Sequence, residues 1–182
     1  MKLKKNTMRS AFPAFIRLAF VFSSPVWAAS GTWSGATTGG TWDSSSTNWT
    51  GVTGTSWDAT AGPSNIATFN TTGLALTVSN TVTAGGVIFS QAASLSGGTV
   101  AVGASGINAS ALSSGTVSIA SGVSLTAPQT WNVGTGATLA LSSGAFARSA
   151  GVSLNLPGSG TVSSSLTGLA NDGSSASGTV SY

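Results

Sequence analysis

The sequence predicts an all-β chain wound as a parallel β-helix (solenoid), with a Trp-rich segment capping its N-terminal end. Three observations carry this. Short apolar runs alternate with small polar residues at a period of two. They recur too closely for the long strands of a sandwich. Ahead of them lies a stretch in which four tryptophans are separated by turn formers and no helical period is visible.

The runs begin near Leu74. They are Leu76-Thr77-Val78, Val87-Ile88-Phe89, Val100-Ala101-Val102, Val117-Ser118-Ile119, Val123-Ser124-Leu125, Trp131-Asn132-Val133, Leu139-Ala140-Leu141 and Val152-Ser153-Leu154-Asn155-Leu156. In the last six, apolar residues alternate with Ala, Ser or Asn, and since side chains two apart on a strand share a face, each of these offers one apolar face to a core. Ser-Gly, Thr-Gly and Gly-Ala pairs separate the runs, and Gly-Thr-Val recurs at 98–100, 115–117, 160–162 and 178–180. Coils of such strands, stacked along an axis, pair their edges and join their apolar faces into one core. An antiparallel sandwich also uses short strands with turn signals. The close spacing, and the lack of an Asn-Gly or Asp-Gly hairpin turn between two runs, favour the solenoid.

Residues 29–72 read as the cap. Trp33, Trp42, Trp49 and Trp57 are followed by Phe69, and between them lie Gly39-Gly40, Asp43-Ser44-Ser45, Gly51, Gly54 and Gly62-Pro63-Ser64-Asn65. Short strands joined by tight turns would gather these rings into one cluster. A terminal coil exposes unpaired backbone and apolar side chains, so a solenoid needs such a cover. The coils then occupy 73–182 and are expected to be incomplete at the C-terminus. The small polar residues 171–178 suggest fraying beyond about Leu156.

Residues 1–28 have the three parts of a secretory signal peptide. Basic residues end at Arg17, Leu18-Ala19-Phe20-Val21-Phe22 is apolar, and Val26-Trp27-Ala28 places small residues at the recognition positions for cleavage after Ala28. The apolar run is far short of the ~20 residues that span a bilayer. The chain is therefore expected to be exported. It contains no Cys, which fits an exported protein that folds without disulfides.

Gly, Ser and Pro make up 63 of the 182 residues, a bias often found in disordered chains. Disorder, however, goes with low hydropathy and high charge, whereas here mean hydropathy is +0.32 and charged residues are 5%. The net charge of +3 belongs to the leader, where five of the six basic residues precede position 18. Beyond it, Arg148 stands against Asp43, Asp58 and Asp172, which is −2. No patch could neutralise phosphates, so nucleic-acid binding is excluded.

Catalytic and metal chemistry finds few of its parts. With no His, Cys or Glu, a nucleophile has no base and zinc has no ligand set. Three scattered Asp fall short of a calcium site. Asp43 and Asp58 are the one conceivable glycosidase pair, but each follows a Trp in a turn, where a carboxylate ordinarily accepts backbone N–H groups. Gly97-Gly98 lacks the Lys and helix of a phosphate loop. Asn48-Trp49-Thr50, Asn70-Thr71-Thr72 and Asn108-Ala109-Ser110 match the glycosylation acceptor, a pattern that arises often by chance in a Ser/Thr-rich chain. No cofactor is expected. The candidate ligand-binding residues are Trp33, Trp42, Trp49 and Trp57, whose rings would stack on sugar faces if exposed; a buried cluster is the competing expectation.

Trp33…Trp42…Asn48-Trp49, Ala67-Thr68-Phe69 and Val82-Thr83-Ala84-Gly85-Gly86-Val87-Ile88-Phe89 resemble the start of autotransporter-associated β-strand repeat proteins. Ala127-Pro128-Gln129-Thr130-Trp131-Asn132-Val133, followed by Gly136-Ala137-Thr138-Leu139-Ala140-Leu141, is similar to that family's coil sequence. The resemblance covers about 31–160. It implies a right-handed β-helix passenger, displayed on or released from a Gram-negative-type bacterium. Family members often carry many more repeats and a membrane-embedded barrel; this chain shows neither, so an outer-membrane connection would need a segment it does not carry. The expected function is that of a non-enzymatic structural or interaction segment, and the alternative is a carbohydrate-binding adhesin. The partners this leaves open are a surface polysaccharide and a second copy joined end to end.

Overall fold

The computed structural model describes residues 29–52, 54–57, 64–142, 145–165 and 179–181. The proposed leader, Asp58 and Asp172 lie outside the described residues. Every regular element described is a β-strand. The strands stack in parallel as a solenoid of about four turns with three faces.

The first face, A, is built from β2 (Thr38–Trp42), the opening parts of β5 (Leu74–Phe89) and β6 (Ala93–Ala109), then β7 (Gly115–Ile119), β11 (Ala137–Leu141), β14 (Thr161–Ser164) and β15 (Thr179–Ser181). Register places Leu74, Ala93, Val117, Leu139 and Val162 in one inward column, with Leu76, Leu95, Ile119, Leu141 and Ser164 in the next. All ten are buried. Successive members of the first column are 19, 24, 22 and 23 residues apart, so one coil takes in between one and three of the sequence runs.

Face B follows within each coil. Its strands are the middle of β5 and β6, β8 (Gly122–Leu125) and β12 (Phe146–Arg148), which align Val82, Val100, Val123 and Phe146. Face C comprises β1 (Ser30–Trp33), β4 (Ile66–Phe69), the ends of β5 and β6, β9 (Gln129–Thr130), β10 (Asn132–Val133) and β13 (Leu154–Asn155). Here Ala67, Val87 and Ile107 form the inward column, and Phe69 lies level with Phe89. The parallel ladder thus begins inside the Trp-rich stretch.

The period-two reading of the runs holds in detail. In the seven three-residue runs, every first and third residue is buried. The middle residues are half-buried or exposed apart from Ala101, whose methyl is sheltered between the register partners Thr83 and Ser124. In the eighth run Val152 departs from the pattern. It is half-buried and precedes β13, following a turn at Gly151 whose φ is 79°. The corner between faces A and B explains Gly97-Gly98. Gly97 has φ 81°, and a Cβ on Gly98 would sit 1.9 Å from the Asn80 carbonyl of the coil below. Glycine lets the two backbones meet there.

Candidate functional site: the tryptophan cluster

The cluster is made by five short segments. Trp33 ends β1, Trp42 ends β2, Trp49 opens β3 (Trp49–Thr50), Trp57 follows the bend at 54–56, and Phe69 ends β4. β3 runs antiparallel to β1, with Trp33 opposite Trp49. It is the only antiparallel pairing among the described residues, and it covers the outer edge of face C. Close approach of the indoles demands small residues beneath them. A Cβ on Gly40 would lie 2.7 Å from Cζ2 of Trp33 and 3.0 Å from Cδ2 of Leu76.

The rings form a continuous aromatic body. Trp33 meets Trp49 edge-on at 5.3 Å and Trp42 meets Trp57 edge-on at 5.5 Å. Trp49 and Trp57 lie 4.6 Å apart, and Phe69 contacts Trp42 at 5.3 Å. Phe69 in turn stacks on Phe89 at 5.3 Å, joining the cluster to the coil core. Each such pair contributes about 0.5–1.5 kcal/mol beyond burial. The indole of Trp33 donates to the Ala36 carbonyl (3.2 Å) and that of Trp57 to the Thr83 carbonyl (2.8 Å). Nε1 of Trp42 and of Trp49 is buried without a hydrogen-bond partner. Each such group costs about 1–3 kcal/mol, which the ring packing has to offset.

The four candidate ligand-binding tryptophans are brought together, but as core. Trp33, Trp42, Trp49 and Trp57 are 2%, 0%, 1% and 1% exposed. A sugar ring has no indole face to stack on, so the adhesin reading loses the exposed rings it required. The reason is geometric: the indoles lie on inward strand positions or face the cluster, and they fill the first coil.

Asp43, directly after Trp42, is a turn residue. Its Oδ1 accepts from the Ser45 and Ser46 amides (2.8 and 2.6 Å) and the Ser45 hydroxyl (3.2 Å), while Oδ2 accepts from the Ser46 hydroxyl (2.9 Å). Partial burial pushes its carboxyl up, but those four donors outweigh it and hold the group below its usual range. A cleft of about 110 Å³ opens beside it, lined by Trp57, Asn80, Thr81 and Thr83 among others. The intended partner for general acid–base work, Asp58, lies outside the described residues. A groove of about 320 Å³ runs past Thr72, Gln91, Ser113 and Ser114, and an open depression lies at Arg148–Ser153. Neither lining pairs two titratable side chains. Among the described residues no group of three metal-ligating side chains comes together.

Two polar features escaped the sequence reading. Gln129 is buried, donates to the Val102 carbonyl (2.9 Å) and accepts from Nε1 of the buried Trp131 (2.7 Å). The i, i+2 spacing that puts Gln129 and Trp131 on one face was the available signal. Asn48, noted in a glycosylation triplet and in the family resemblance but given no structural role, donates from Nδ2 to the Thr41 carbonyl (3.3 Å). Comparison with protein-family models, with curated proteins and with solved structures gives no match.

Proposed function

We propose that this chain is a non-enzymatic structural or interaction segment of an exported bacterial surface protein, of the autotransporter-passenger kind that its sequence resembles. One observation carries the reading: the solenoid spends its apolar and aromatic side chains on its own interior and turns a plain surface outward. On face A the outward positions are Ser94, Ser118, Ala140 and Ser163 in one register column and Thr116, Thr138 and Thr161 in another. Small hydroxyl and methyl groups on a stiff ladder make a spacer or a layer. With no His, Cys or Glu in the sequence, the reading needs no reaction to explain it.

Export is the testable part. Expressed in a Gram-negative host, the protein accumulates outside the cytoplasm, and mass spectrometry finds its amino terminus at Ala29 or within two residues of it. A cytoplasmic product that still begins at Met1 or Met8 overturns the reading.

A further inference from the structure

A parallel ladder ends in a row of unpaired N–H and C=O groups, and such an edge is a template for a strand from another molecule. Face A ends at β2, which pairs with β5 on one side and with no described strand on the other. Face C ends at β3, which among the described strands pairs only with β1. Both edges are occupied from within the chain. On β2, the Asn48 side-chain amide donates to the Thr41 carbonyl (3.3 Å). The same strand is bulged between Thr38 and Gly40, where Gly39 has φ 72°, so its pairing groups are out of step with a straight partner. On β3, the Trp49 amide, turned away from β1, donates to the Thr55 carbonyl (2.9 Å). The Thr50 hydroxyl reaches back to the Thr32 carbonyl (3.3 Å).

We propose that the Trp-rich end is an autoinhibited edge, in which Asn48 and Thr55 fill the hydrogen-bonding positions that a strand of a second copy would need. The aromatic cluster covers the apolar interior; these two residues close the backbone. Together they oppose strand addition on faces A and C at this end of the solenoid. This holds whatever larger assembly the chain serves, so it stands apart from the functional proposal above.

The test is hydrogen exchange followed across a concentration series, with sedimentation velocity alongside, on the purified protein. In the intact protein, amides in Thr38–Trp42 and Trp49–Thr50 exchange at rates that do not change with concentration. In Asn48→Leu, which keeps the branched shape of the side chain and removes the donor, exchange over Thr38–Trp42 slows as concentration rises and the sedimentation coefficient increases. Asn48→Ala gives the same shift. Concentration-dependent slowing at Thr38–Trp42 in the intact protein overturns the proposal without recourse to any variant. So does a folded Asn48→Leu whose exchange there is concentration-independent.

Discussion

Leu141→Ala tests the coil phase most directly. Leu141 is 1% exposed and lies in the inward column between Ile119 below and Ser164 above. Truncation removes three carbons, which at ~0.8 kcal/mol per buried methylene is about 2.4 kcal/mol of lost transfer energy. The cavity adds to this, because the neighbouring coils are fixed by their ladders and collapse only partly. The total falls at about 2–5 kcal/mol. At roughly 2–4 °C per kcal/mol for a chain of this size, a loss near the middle of that range lowers Tm by about 7–14 °C. Ala140, one residue earlier, sits on the outward column between Ser118 and Ser163. Ala140→Ser therefore places a hydroxyl where two register neighbours already carry one, and it shifts the midpoint little. The assay is urea or thermal unfolding of both variants, followed by Trp fluorescence. Equal losses from the two changes would refute the strand phase and with it the column assignment.

Four further outcomes are expected. Gly40→Ala drives a methyl into Trp33 and Leu76 and costs about 1–3 kcal/mol through overpacking, measured by the same unfolding; an unchanged midpoint would mean the indoles are not packed as described. Because the Asp43 carboxyl is held below its usual range in the folded chain, its contribution is complete above the unfolded value of about 3.9 and is lost as pH falls through the folded value. The Tm gap between the intact protein and Asp43→Asn should accordingly be constant from pH 5 to 8 and narrow below about pH 4; a gap that does not narrow removes the turn-latch role. The buried indoles should emit at short wavelength and resist an aqueous quencher in the chain that begins at Ala29, and a large quenchable fraction would contradict their burial. Processing to that amino terminus is the fifth expectation, checked by mass spectrometry as above.

What could be read along the chain was the phase of each strand. Alternation decides which residues face inward, because a strand's side chains point to opposite sides in strict turn. Thus Leu139 and Leu141, or Val123 and Leu125, could be assigned without knowing their neighbours. The aromatic cluster was legible for the same local reason: tryptophans set between turns can reach one another. Its role was not. Whether an indole is stacked on from outside or packed from all sides depends on β3 folding back antiparallel and on Gly40 letting Trp33 approach, and neither is written in spacing.

Pairing belonged to the tertiary structure alone. Gly-Thr-Val at 115–117 and 160–162 falls on face A with the backbone of 179–180, whereas the same tripeptide at 98–100 lies on face B, Thr99 pairing with Thr81 and Gly122. β5 and β6, which read as separate short runs, continue through two corners as strands of 16 and 17 residues. Coil length varies from 19 to 24 residues because each corner takes a different number, and that number decides which run stacks on which. The sequence by itself determined the faces of the strands, since a period of two is a property of one strand's backbone. Only the closed coils decided the columns, since stacking is a property of several strands whose corners must all fit at once.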